Sequence, residues 1–169
     1  MYSPNFADFE SYTRRGNLIP VYREILADIE TPVSVLRKLQ NEEYVYLLES
    51  VEGGEKWGRY SFIGTGASLI FRVQDAQVII EKQGEIRTVE HEGRPLDLLR
   101  EMLARYRPVE TPGLPRFFGG AVGYLGYDMV RYFEKLPAPP PDDLHLDDAV
   151  FVMSDALIIF DNRRHTIKV

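Results

Sequence analysis

The apolar positions of the chain change period several times, and each change predicts an element. Phe6, Phe9 and Tyr12 recur at helical spacing. In that stretch Ser3 is placed to cap a short helix, Pro4 suits its first position, and Gly16 suits its end. "LIPVYREIL" reads as extended, since a residue before proline is steered from the α region. "TPVSVLRKLQ" repeats the helix signal, with Thr31 as cap, Pro32 in the first turn and Val33, Leu36 and Leu39 as one stripe. The clearest helix is "RPLDLLREMLARYRP". There Leu96, Leu99 and Leu103 share a face, Met102 and Tyr106 extend it, and Pro108 stops it.

Between these helices the pattern shortens to that of strands. The predicted strands are 44–50, 59–64, 69–73, 76–82 and 85–89. Gly53-Gly54, Gln74-Asp75 and Gln83-Gly84 supply tight turns. Such links favour antiparallel neighbours, because a parallel crossover needs about a dozen residues. "FFGGAVGYLGYDMVRYFEKLP" runs from a Gly-rich strand into a short helix, and "PAPPPDD" is a stiff loop. "AVFVMSDALIIF" and "TIKV" form a hairpin around "DNRRH". The fold class predicted is α+β: mainly antiparallel β-sheet(s) with helices packed against them, as one domain over 1–169. Val169 falls in mid-strand, which points to a piece of a longer polypeptide.

Composition narrows the classes. The chain has 44% hydrophobic and 27% charged residues, as an ordinary globular protein does. A net charge of -6 without a basic stripe argues against a nucleic-acid partner. The absence of cysteine removes disulfides, thiolate nucleophiles and Cys-based zinc sites. No apolar run reaches the roughly 20 residues of a membrane span, and "MYSPNFADFES" is unlike a secretory signal. A soluble, cytoplasmic protein with no membrane partner is expected.

The stretch "YVYLLESVEGGEKWGRYSFIG" carries the candidate chemistry. Residues 44–48 are apolar or aromatic on both faces, which predicts a central strand. It stops on Glu49 and Ser50, and an acid at such an end needs a partner or water. In one reading Glu49 meets solvent or pairs with Lys56 or Arg59, and Ser50 caps the turn. In the other, Glu49 and Ser50 line an amino-acid pocket, with a carboxylate for an ammonium group and a hydroxyl for a carboxylate. The glycines of 119–126 lack a P-loop or dinucleotide pattern and read as close backbone packing. Asp142, Asp143, Asp147 and Asp148 around His145 lack EF-hand spacing and read as a solvated loop. His91, His145 and His165 are scattered, and no catalytic residue stands out.

Three blocks, "GNLIPVYREILADIETPVSVLRKL", "YLLESVEGGEKWGRYSFIG" and "FFGGAVGYLGYDMVRYFEKLP", together resemble the N-terminal region of anthranilate synthase component I. The resemblance implies an enzyme that, complete, converts chorismate and ammonia to anthranilate and pyruvate with Mg2+, a lyase of tryptophan biosynthesis. It implies as partners a glutamine amidotransferase subunit that supplies the ammonia and a C-terminal chorismate-binding domain that holds the substrate and the magnesium. This chain alone is then catalytically inactive and holds no cofactor. The resemblance also implies feedback inhibition by L-tryptophan. Its Leu-Leu-Glu-Ser motif falls on Leu47 to Ser50, so Ser50, with Glu49, Leu48 and Lys56, becomes the tryptophan-binding set. The alternatives are the N-terminal region of aminodeoxychorismate synthase component I, of folate biosynthesis, and a docking module with no ligand of its own.

Overall fold

The computed structural model describes residues 1–49, 58–138 and 141–169. Two compact units emerge. One comprises 1–66, 106–119 and 154–169; the other comprises 67–105 and 120–153.

The first unit is built on a six-stranded sheet. Its strands are β1 (Tyr2–Ser3), β2 (Tyr22–Leu26), β3 (Val45–Glu49), β4 (Tyr60–Thr65), β10 (Ala156–Asp161) and β11 (Thr166–Lys168), in the spatial order β1-β2-β11-β10-β4-β3. Each of these pairings is antiparallel. Helix α1 (Phe6–Tyr12) is capped by Asn5, whose side chain accepts from the Asp8 N–H. The cap expected at Ser3 therefore moves two residues on. Ser3 pairs with Tyr22 in β1, and Pro4 follows a cis peptide bond instead of opening the helix.

Helix α2 (Pro32–Lys38) starts as its sequence predicts. The Thr31 hydroxyl accepts from the Ser34 N–H, and the Ser34 hydroxyl accepts from the Thr31 N–H, closing a capping box. Val35, Leu36 and Leu39 then pack on Ile63, Phe160 and Ile167 of the sheet. Val45 and Leu47 of β3 join the same cluster, while Tyr46 turns to the other face. There its ring fills the space left by Gly64: a Cβ at Gly64 would lie 2.1 Å from it. This packing explains why β3 looks two-sided in sequence. The structure corrects the expectation of a central strand: among the described residues β3 pairs only with β4 and forms the edge of the sheet. The centre belongs to β10 and β11, where Ile159, Phe160 and Ile167 are buried.

The second unit holds a five-stranded antiparallel sheet, β7-β6-β5-β9-β8. Its strands are β5 (Leu69–Gln74), β6 (Gln77–Lys82), β7 (Glu85–Glu90), β8 (Ala121–Leu125) and β9 (Ala149–Met153). Two-residue turns join β5 to β6 and β6 to β7, with Gln83 and Gly84 both at positive φ in the second. One face, with Leu69, Phe71 and Val73 of β5, Val78 of β6 and Ala149 of β9, packs on α3 (Pro95–Ala104). Leu99 of that helix is buried, and Leu96, Leu98, Met102 and Leu103 pack around it. Gly123 of β8 lies against β9, where an added Cβ would sit 1.8 Å from the Val150 carbonyl oxygen. The Gly-rich segment thus serves close backbone approach, as expected. A 3-10 turn, Tyr127–Tyr132, follows β8 and brings Met129 into the core.

The run "AVFVMSDALIIF" is not one strand of a hairpin. It divides at Ser154 and Asp155: β9 joins the five-stranded sheet, and β10 joins the six-stranded sheet and makes the hairpin with β11.

Candidate functional site

The end of β3, the start of β4 and the end of β10 meet in the six-stranded sheet. Register places Glu49 opposite Ser61, Ser61 opposite Phe160, and Tyr60 opposite Asp161. Glu49 is exposed, and its Oε1 accepts a long hydrogen bond, 3.4 Å, from the buried Ser61 hydroxyl. Ser61 Oγ in turn accepts from Asn162 Nδ2 at 3.3 Å, and the same amide donates to the Gly58 carbonyl at 3.2 Å. An amide, a hydroxyl and a carboxylate therefore form one relay of donors and acceptors.

Arg59 does not pair with Glu49. Its Nε and Nη2 donate to the two oxygens of Asp161, at 3.1 and 2.6 Å, as a two-pronged pair. The Arg59 guanidinium also lies over the Tyr60 ring, 4.8 Å from its centre. Asp161 is only 2% exposed. Burial pushes its carboxyl upward. The Arg59 hydrogen bonds and the N–H groups of Arg163 and Arg164 outweigh that and hold it below the usual carboxylate range. With Arg59 engaged, the exposed Glu49 carboxylate keeps capacity for an external cation such as an ammonium group.

Leu48 and Glu49 diverge. Leu48 lies opposite Phe62, whose ring meets Phe117 edge-on at 5.1 Å, whereas Glu49 shares its face with Ser61 and Leu47. Ser50 and Lys56, the remaining two of the predicted set, lie outside the described residues. Ser61, Asp161 and Asn162 were not singled out from sequence. Their one local signal is that Asp161 ends an apolar run, as Glu49 does.

Elsewhere the acidic loop has structural work. Asp142 accepts from the N–H groups of Leu144 and His145, and these bonds, with His145 first, hold its carboxyl below its ordinary range. Asp148 Oδ2 lies 3.0 Å from the Tyr132 hydroxyl. Among the described residues no three His, Asp or Glu side chains gather as metal ligands. Among those residues, too, no helix is long and apolar enough to cross a membrane.

Fold and site define a two-sheet antiparallel α+β chain with an exposed acid at a strand end. Anthranilate synthase component I from Streptococcus pneumoniae has a solved structure of this fold, with a TM-score of 0.51 and 24% identity. The match covers 85% of this chain and 30% of that one. No protein-family model matches the chain. Among curated proteins, anthranilate synthase component 1 of Acetivibrio thermocellus is 38% identical over the whole of this chain and 34% of its own length. That of Pseudomonas aeruginosa is 50% identical over 86% of this chain and 30% of its own length. That of Aquifex aeolicus is 42% identical over 90% of this chain. The chain thus resembles anthranilate synthase component I along its full length and spans about one-third of those relatives. The family expected from the three sequence blocks is the one found.

Proposed function

We propose that this chain is the N-terminal, L-tryptophan-responsive region of anthranilate synthase component I. In the complete enzyme a C-terminal chorismate-binding domain would convert chorismate to anthranilate and pyruvate, using Mg2+ and ammonia from a glutamine amidotransferase subunit. The chain alone would be inactive. The relatives' names favour this reading over the folate-pathway synthase.

The observation that carries the regulatory reading is Glu49. It stands exposed at the end of β3, immediately before Ser50, and accepts a hydrogen bond from Ser61, and among the described residues it forms no ion pair. Such a carboxylate suits the ammonium group of an amino acid, and the neighbouring hydroxyl suits its carboxylate. Because Leu48 and Glu49 lie on opposite faces, the ligand would sit at the strand's end, with Glu49, Ser50 and Lys56 as its polar contacts. Tryptophan would inhibit by binding one conformation of the complete enzyme better than another.

The test is Ser50→Ala in the full-length enzyme. Loss of a hydrogen bond to a charged group is worth about 1.5–3 kcal/mol, so half-inhibition should need roughly 10- to 150-fold more tryptophan. Uninhibited turnover should stay near the parent's. Unchanged inhibition removes Ser50 from the site, and calorimetry showing no tryptophan binding to the complete subunit would favour a docking module.

A further inference from the structure

A cleft lies in the first unit, between the end of α1 and the loop 110–118 that precedes β8. Its volume is about 560 Å3, within the roughly 300–1,000 Å3 of small-molecule sites. Tyr12, Arg15, Glu110, Arg116 and Phe118 line it. None of its three charged side chains is in an ion pair among the described residues. Arg15 is instead stacked over the Tyr12 ring, 5.1 Å from its centre, which extends a flat wall. The loop opposite is held in shape. The Tyr22 hydroxyl donates to the Pro112 carbonyl at 3.0 Å, and the Thr111 side chain beneath is buried.

These features select a ligand. Two guanidinium groups against one carboxylate leave a local surplus of one positive charge on a chain whose net charge is -6. The surplus favours a monoanion, and Glu110 opposes phosphate and other dianions. Arg116 presents the fork that matches a carboxylate. Tyr12, Phe118 and the stacked Arg15 offer flat surfaces to a planar body. We propose that this cleft binds a small aromatic monocarboxylate, as a site separate from Glu49 and Ser50.

The test titrates sodium benzoate into the full 169-residue chain while the ring protons of Tyr12 and Phe118 are followed by NMR. Saturable shifts below about 10 mM are expected, with no comparable response to benzyl alcohol, the neutral counterpart. Arg116→Gln should weaken benzoate about tenfold or more, and Arg116→Lys should keep part of the affinity. Arg116 is exposed, so neither change threatens the fold. Ser50→Ala should bind benzoate as the parent does, which separates this site from the tryptophan reading. Absent saturation, equal binding of benzyl alcohol, or undiminished binding by Arg116→Gln would each overturn the proposal. Inorganic phosphate binding as well as benzoate would do so too.

Discussion

The two sheets bury different chemistry. The five-stranded sheet closes on carbon: Leu69, Phe71, Val73, Val78, Leu99, Met129 and Ala149 form its buried cluster. In the six-stranded sheet the buried cluster among the described residues is Ile63, Phe160 and Ile167, and the buried groups Ser61, Asp161, Thr166 and Lys168 lie on the same strands. There Lys168 is ion-paired with Glu24 on the neighbouring strand, and Asp161 with Arg59. Buried ion pairs are weak evidence for stability, because desolvation offsets much of the attraction. What they do is penalise any register that leaves one partner alone. On this comparison the five-stranded sheet has the larger apolar cluster, while the six-stranded sheet, where the candidate ligand acid stands, places buried charged groups in ion pairs.

The largest test of that contrast removes a phenylalanine from each sheet. Phe71→Ala should destabilise its unit by about 3–5 kcal/mol, and Phe160→Ala should fall at or below the lower end. Amide hydrogen exchange resolved by residue reads the units separately. Equal losses would erase the distinction between a large and a small apolar cluster.

Next comes the same change at two glycines. Gly123→Ala drives a methyl into the Val150 backbone, so β8 must move from β9, at about 3 kcal/mol or more. Gly64→Ala meets the far end of the Tyr46 side chain, which can rotate away, so about 1 kcal/mol is expected. Thermal unfolding of the two variants gives the order, and a reversed order would mean that Tyr46 is as fixed as the backbone.

The smallest effects lie at the two ends of the pH scale. The Asp161 carboxyl has a lowered native pKa, so its stabilisation is present above the unfolded value of about 4. That contribution is lost as pH falls through the native value. Asp161→Asn should therefore flatten the acid limb for the six-stranded unit. Burial, then the bond to Asp148, pushes Tyr132 up to about 12. Its stabilisation is present below the unfolded value of about 10 and is lost as pH rises toward the native one. Tyr132→Phe should remove that alkaline dependence in the five-stranded unit. Unaltered pH profiles in both variants would detach these groups from folding.

What could be read from sequence was local. Thr31 and Pro32 announced α2 because capping acts within one turn, and the spacing of Leu96, Leu99 and Leu103 announced α3. The hairpins around Asp75 and Gln83 followed from turn chemistry. What escaped notice was long-range. Asp161 lies 102 residues from Arg59, so nothing near either residue names the other. β3 passed for a central strand because an aromatic ring over a glycine resembles burial by a further layer. "VFVMSDALII" carried no mark of division, since both halves are apolar and β-rich and only Ser154 and Asp155 interrupt them. The Leu-Leu-Glu-Ser motif was visible, and strand alternation puts Leu47 and Glu49 on one face and Leu48 on the other.

The order of strands in the six-stranded sheet has a consequence for synthesis. β10 and β11, drawn from the last fourteen residues, stand between β2 and β4, made more than ninety residues earlier. During translation the early strands have no middle to zip onto until residues 156–168 have been made. The nascent chain must therefore carry β2 and the β3–β4 pair as separate unfinished edges, and a stall before Ala156 is made would leave both open to a neighbour.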